Sequence, residues 1–139
     1  MTKKIEARPY GPDSTPEEIE AIRARLTWYE PGILLWRELP VQTIFSVRIK
    51  MIRLGEMVKE VNGPITELVD LSEAGSPPQE VRAELARVYK NHDRLKKFAI
   101  ITGKNFLSNV FARFISSLIG FSATFHQTLE EAAAELKKP

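Results

Sequence analysis

Leu26-Thr27-Trp28-Tyr29-Glu30-Pro31-Gly32-Ile33-Leu34-Leu35-Trp36-Arg37 is the stretch whose reading decides the fold. Two runs rich in aromatic and aliphatic residues flank Pro31-Gly32. Proline presets φ for the first central position of a type II turn, and glycine accepts the positive φ of the second. The pattern predicts strands near 26–30 and 33–38, paired antiparallel as a hairpin.

Beyond the hairpin, helical and extended patterns alternate. Residues 43–61 read as a helix whose Ile44, Val47, Met51, Leu54, Val58 and Val61 share one face, and Asn62-Gly63-Pro64 stops it. Ile65 to Leu71 reads as a strand. Ser76-Pro77-Pro78-Gln79 has the form of a capping box, with Ser76 as the cap of a helix that turns Val81, Leu85, Val88 and Tyr89 inward. Phe98-Ala99-Ile100-Ile101 is an unbroken apolar run, as a parallel strand buried on both faces requires. Thr102-Gly103-Lys104-Asn105 leads into a helix predicted over 105–119, with Leu107, Val110, Phe111, Phe114 and Leu118 on its inner stripe. Phe121 to Phe125 alternates as a strand, and Thr128-Leu129-Glu130-Glu131 opens a last helix. Helices between successive later strands imply parallel crossovers. The expected fold class is α/β, with the hairpin followed by a mixed, largely parallel sheet and the strand near 97–102 deep inside it.

Upstream of the hairpin, residues 1–13 are polar and carry Pro9, Gly11 and Pro12. They read as a flexible or loosely attached leader. Thr15-Pro16-Glu17-Glu18 caps a short helix near 16–24, so residues 1–24 form an extension and 25–139 the domain proper.

Composition bounds the function. Apolar residues at 43% and charged residues at 27% fit a globular chain. The absence of cysteine excludes disulfides, thiolate zinc sites and thiol nucleophiles, and fits a cytoplasmic location. The N-terminus has no apolar run of the signal-peptide kind, and no apolar stretch is long enough to span a bilayer. A net charge of +2 gives no electrostatic footprint for nucleic acid.

The order hairpin, helix, strand, helix, strand, helix, strand, helix resembles that of the STAS, or SpoIIAA-like, domain. Leu68-Val69-Asp70-Leu71-Ser72 is similar to the hydrophobic-Asp-Leu-Ser strand end of that family. Phe125-His126-Gln127-Thr128-Leu129-Glu130-Glu131-Ala132 is similar to its closing strand and helix. The resemblance covers roughly residues 25–138. It implies a bacterial protein-interaction or regulatory module, and the absence of a complete catalytic motif leads to the expectation that the chain is no enzyme. The chain departs from the family's antagonists at the phosphorylatable serine. The corresponding place falls near Gln79-Glu80, and no Asp-Ser-Ser-Gly occurs. A serine phosphoswitch is therefore not expected.

Two groups of residues are candidates for function. Asp70, Ser72, Thr102, Gly103, Lys104 and Asn105 belong at the carboxyl ends of neighbouring strands, where open α/β sheets bind ligands. Helix amides beginning at 105, with Lys104, would suit an anion. The plainer reading is that Asp70 and Ser72 satisfy loop backbone groups while Gly103 makes a turn. Phe45, Ile49 and Ile52 form a second apolar stripe on the helix at 43–61, beside Arg48, Lys50 and Arg53. Such a stripe requires a cover: the 16–26 segment, a second copy in a homodimer, or a lipid surface. No metal or cofactor is expected, because His92 and His126 lack ligand spacing. Neither a Walker loop nor a Gly-x-Ser-x-Gly elbow is present. The alternative to an interaction module is a small apolar-ligand or lipid carrier, with Phe106, Phe111 and Phe114 around a pocket.

Overall fold

The computed structural model describes residues 6–90, 92–103 and 122–137. The elements follow in the order α1 (Pro16–Arg23), β1 (Leu26–Glu30), β2 (Ile33–Arg37), α2 (Ile44–Met57), β3 (Ile65–Asp70), α3 (Gln79–Lys90), β4 (Leu95–Ile101), β5 (Ser122–His126) and α4 (Leu129–Leu136). One 3₁₀ turn, Val58–Glu60, continues α2. No helix among the described residues is long and apolar enough to cross a membrane.

The strands form one mixed sheet in the order β1-β2-β3-β4-β5. β1 and β2 pair antiparallel, with Gly32 at φ 84° in the turn between them. The remaining pairs are parallel, as the alternation of patterns required. β4 lies between β3 and β5, and its Phe98, Ala99, Ile100 and Ile101 are all buried. The connection from β4 to β5 is outside the described residues. So are the helix expected at 105–119 and the expected places of Lys104, Asn105, Phe106, Phe111 and Phe114.

Alternation along the strands divides the core in two. Leu34, Trp36, Ile65, Val69, Phe98 and Ile100 belong to a large cluster that also takes in Ile22 of α1, Val47 and Leu54 of α2, and Val81, Leu85 and Tyr89 of α3. Leu68, Ala99 and Ile101 belong to a smaller cluster with Ala132, Leu129 and Leu136 of α4. The helix starts are fixed by short side chains. Thr15 and Glu18 exchange reciprocal bonds of 3.1 and 2.9 Å at α1. Thr43 and Ser46 do the same at 3.0 Å each at α2, and Thr128 caps α4. The far end of α2 is closed by a residue distant in sequence. The Arg94 guanidinium donates to the carbonyl of Val58, at the end of the helix, and to those of Val61 and Gly63 just beyond it.

Three expectations are corrected. Residues 6–14 are not merely a loose leader. Tyr10 is buried in the large cluster, its carbonyl accepts from Thr43 Oγ1 at 2.7 Å, and Arg8 lies 4.3 Å over its ring. A single aromatic anchors a segment whose composition is otherwise that of a tail. Ser76 does not cap α3. The helix begins at Gln79, Pro78 supplies the first carbonyl to Arg82 N, and Ser76 is exposed. On α2 the inward face is Ser46, Val47, Ile49, Lys50, Leu54 and Met57, whereas Ile44, Met51 and Val58 are only partly buried. The helix is packed by α1 and α3 as well as by the sheet, so no single stripe describes it.

Candidate functional site

The carboxyl ends of β2, β3 and β4 lie side by side, with Arg37 of β2 in register with Asp70 and Asp70 with Ile101. Asp70 turns its carboxylate back on its own chain and accepts from Ser72 N at 2.9 Å, forming an Asx turn. Leu71 N donates to Ile101 O at 2.8 Å, so the chain leaving β3 stays tied to β4. Thr102 N donates to His126 O at 2.8 Å and ties β4 to β5 in the same way. Gly103 then turns away at φ 61°. A β-carbon there would lie 3.0 Å from Ser72 Cβ, so both its backbone angle and its surroundings call for glycine. Of the strand-end residues expected from sequence, Asp70, Ser72, Thr102 and Gly103 come together at this end. Lys104 and Asn105 lie outside the described residues.

Beside them opens a cleft of about 290 Å³ lined by Arg25, Arg37, Asp70, Ser72 and Glu73. Arg25 is its organiser. Its guanidinium donates to Arg37 O at 2.6 Å, to Glu38 O at 3.1 Å and to Glu73 at 2.9 Å, binding the end of β2 to the loop after β3. Arg37 is exposed at the rim. Sequence reasoning missed both arginines. Arg37 was readable, because a strand ending beside Asp70 must present its last side chain there. Arg25 was readable in part, because the hairpin sets the residue before β1 opposite Arg37, but nothing local shows its guanidinium reaching Glu73 in the loop after β3.

The second candidate group comes apart. Ile49 is 8% exposed and shares the large cluster with Ile19 and Ile22 of α1; Phe45 is half-buried against it; Ile52 is 64% exposed. Arg23 of α1 pairs with Glu56 of α2 at 2.9 Å along the same seam. Phe45, Ile49 and Ile52 are therefore not one exposed stripe.

A third group had no counterpart in the sequence reading. Lys50, placed there among surface cations, points into the core. Its Nζ lies 2.9 Å from Glu67 Oε2, donates to the Tyr89 hydroxyl, and sits 5.1 and 4.9 Å from the ring centroids of Trp36 and Tyr89. Nearby, Glu38 accepts from Trp36 Nε1 and from Leu39 N, both at 2.9 Å. Burial pushes the Glu67 carboxyl above the usual carboxylate range; Lys50 opposes this and Glu38 reinforces it. Burial also drives the Tyr89 hydroxyl well above its ordinary value, and the two glutamates add to it.

The histidines have structural partners. His92 Nδ1 accepts from Arg94 N and Leu95 N at 3.2 and 3.0 Å, and His126 Nε2 lies 2.9 Å from Thr124 Oγ1. Among the described residues, no three His, Asp or Glu side chains group as metal ligands. Fold and site together define an α/β protein with a polar cleft at the carboxyl edge of a mixed sheet. The chain matches no protein-family model, no curated protein and no solved structure.

Proposed function

We propose that this protein is a STAS-like interaction or regulatory module, a single cytoplasmic domain with an N-terminal extension, working by binding rather than catalysis. The observation that carries this reading is the sheet: an antiparallel β1–β2 pair followed in sequential order by parallel strands. That is the arrangement the hairpin-then-alternation resemblance calls for. The surface it would use is the strand-end cleft, which open α/β sheets favour for ligands. Its contents also support binding. Arg25 and Glu73 are an ion pair and Asp70 closes a turn, which leaves a polar, charged surface open to a partner. The partner is another protein or a second copy of the chain.

A second reading, as a small apolar-ligand or lipid carrier, draws on a different opening. Trp28, Tyr29, Pro31 and Val61, with Glu30 and Glu60, line an open cleft of about 490 Å³ at the opposite end of the sheet. Native mass spectrometry of the chain purified from its own cells separates the two readings. The interaction module gives a protein complex or a dimer of defined mass; the carrier gives a monomer with a lipid-sized adduct.

A further inference from the structure

The core between α2, β3, α3 and the end of β2 holds charges that do not balance. Lys50 is 2% exposed, Glu67 0% and Glu38 6%. Two carboxylates thus accompany one ammonium, which pairs with Glu67. Glu38 has an N–H donor on each oxygen, from Trp36 and Leu39. Glu67 has Lys50 on Oε2, and its Oε1 has no hydrogen-bond partner. The titratable and charged groups facing Glu67 are Lys50 from α2, Tyr89 from α3 and Glu38 from the segment after β2. On β4 its register partner is Phe98, which is apolar and stacks edge-on against Tyr89.

We propose that this cluster is a proton-operated clamp that holds α2 and α3 on the sheet more tightly when Glu67 is neutral than when it is ionised. With Glu67 neutral, Lys50 and Glu38 leave one positive and one negative charge. With Glu67 ionised, a surplus negative charge lies in the buried core, one of its oxygens without a donor. A buried charge in that position is costly. The elements that bear its partners are the two helices, so relief comes from their moving off β3 and admitting water.

The direction of the pH dependence follows. Glu67 binds its proton more tightly in the folded chain than in the unfolded one. The stabilisation is therefore complete below the ordinary carboxylate value, and it is lost as pH rises through the raised one. This runs opposite to common acid denaturation. The test is hydrogen exchange by mass spectrometry on the full chain, from about pH 4 to 9, corrected for intrinsic exchange. In the wild type, protection of the α2 and α3 amides should fall with rising pH, by about tenfold per unit at the steepest. Glu67→Gln should abolish the fall and be the better protected at the alkaline end. The Tyr89 hydroxyl favours the ionised form of Glu67, so Tyr89→Phe should displace the fall to higher pH. A wild-type protection that does not change with pH, a Glu67→Gln protein that keeps the wild-type slope, or a Tyr89→Phe protein whose fall stays in place would each overturn the clamp.

Discussion

Gly103 and Ser76 show how differently single residues answer to local rules. At Gly103 the rule and the structure agree: the Thr-Gly-Lys pattern marks a turn, and the backbone there has positive φ against Ser72. Gly103→Ala should cost roughly 1–2 kcal/mol from backbone strain alone, read as a lowered denaturant midpoint at unchanged m-value. Ser76 fits the pattern of a capping box, but the two prolines after it delay the helix to Gln79, out of its reach. Ser76→Ala should therefore change stability by less than about 0.5 kcal/mol. Thr43→Ala, which removes an actual cap, should cost about 1 kcal/mol. Equal losses in the two variants would contradict the assignment. Lys50 and Glu67 were illegible for a related reason. On a helical wheel or an alternating strand, a charged residue is assigned outward by type. Only the spatial meeting of the two shows that each has a buried partner.

At the scale of elements, α2 is where periodicity misleads most. A helix covered on one side shows one stripe, whereas a helix between a sheet and a second helix shows two that merge. Of the expected second stripe, Ile49 is buried in the cluster that also holds Ile22 of α1, whereas Ile52 is exposed. Ile49→Gln should destabilise by at least about 1.5–3 kcal/mol and open residues 10–26 to limited proteolysis. Ile52→Gln should leave the cleavage pattern and the stability as they are. If Ile52→Gln also released the 10–26 segment, the packing of α1 on α2 would have to be redrawn. β4, by contrast, was legible from four residues. Phe98-Ala99-Ile100-Ile101 has no polar face, and only a strand covered on both sides can use such a run.

For the whole molecule, the mixed sheet was legible because a Pro-Gly hairpin fixes one antiparallel pair and helix-length connections force the later strands to be parallel. The strand-end cluster was half legible. Asp70, Ser72, Thr102 and Gly103 follow from strand ends, whereas the reach of Arg25 from the start of β1 to Glu73 depends on how the loop after β3 returns. The packing of the extension rests on Ile22 of α1 and on Tyr10, which lies in a stretch otherwise polar enough to pass for a tail. Glu38 connects the two polar centres: its backbone lies between Arg25 and Asp70, and its side chain faces the Lys50 cluster. The central claim is that the chain works by binding another protein chain at the carboxyl edge of its sheet. Native mass spectrometry of wild type and Arg37→Glu, each purified from the protein's own cells, tests it most directly. The account predicts a protein complex or dimer for the wild type and a bare, folded monomer for the variant. A monomer carrying a lipid-sized adduct in both proteins would contradict it.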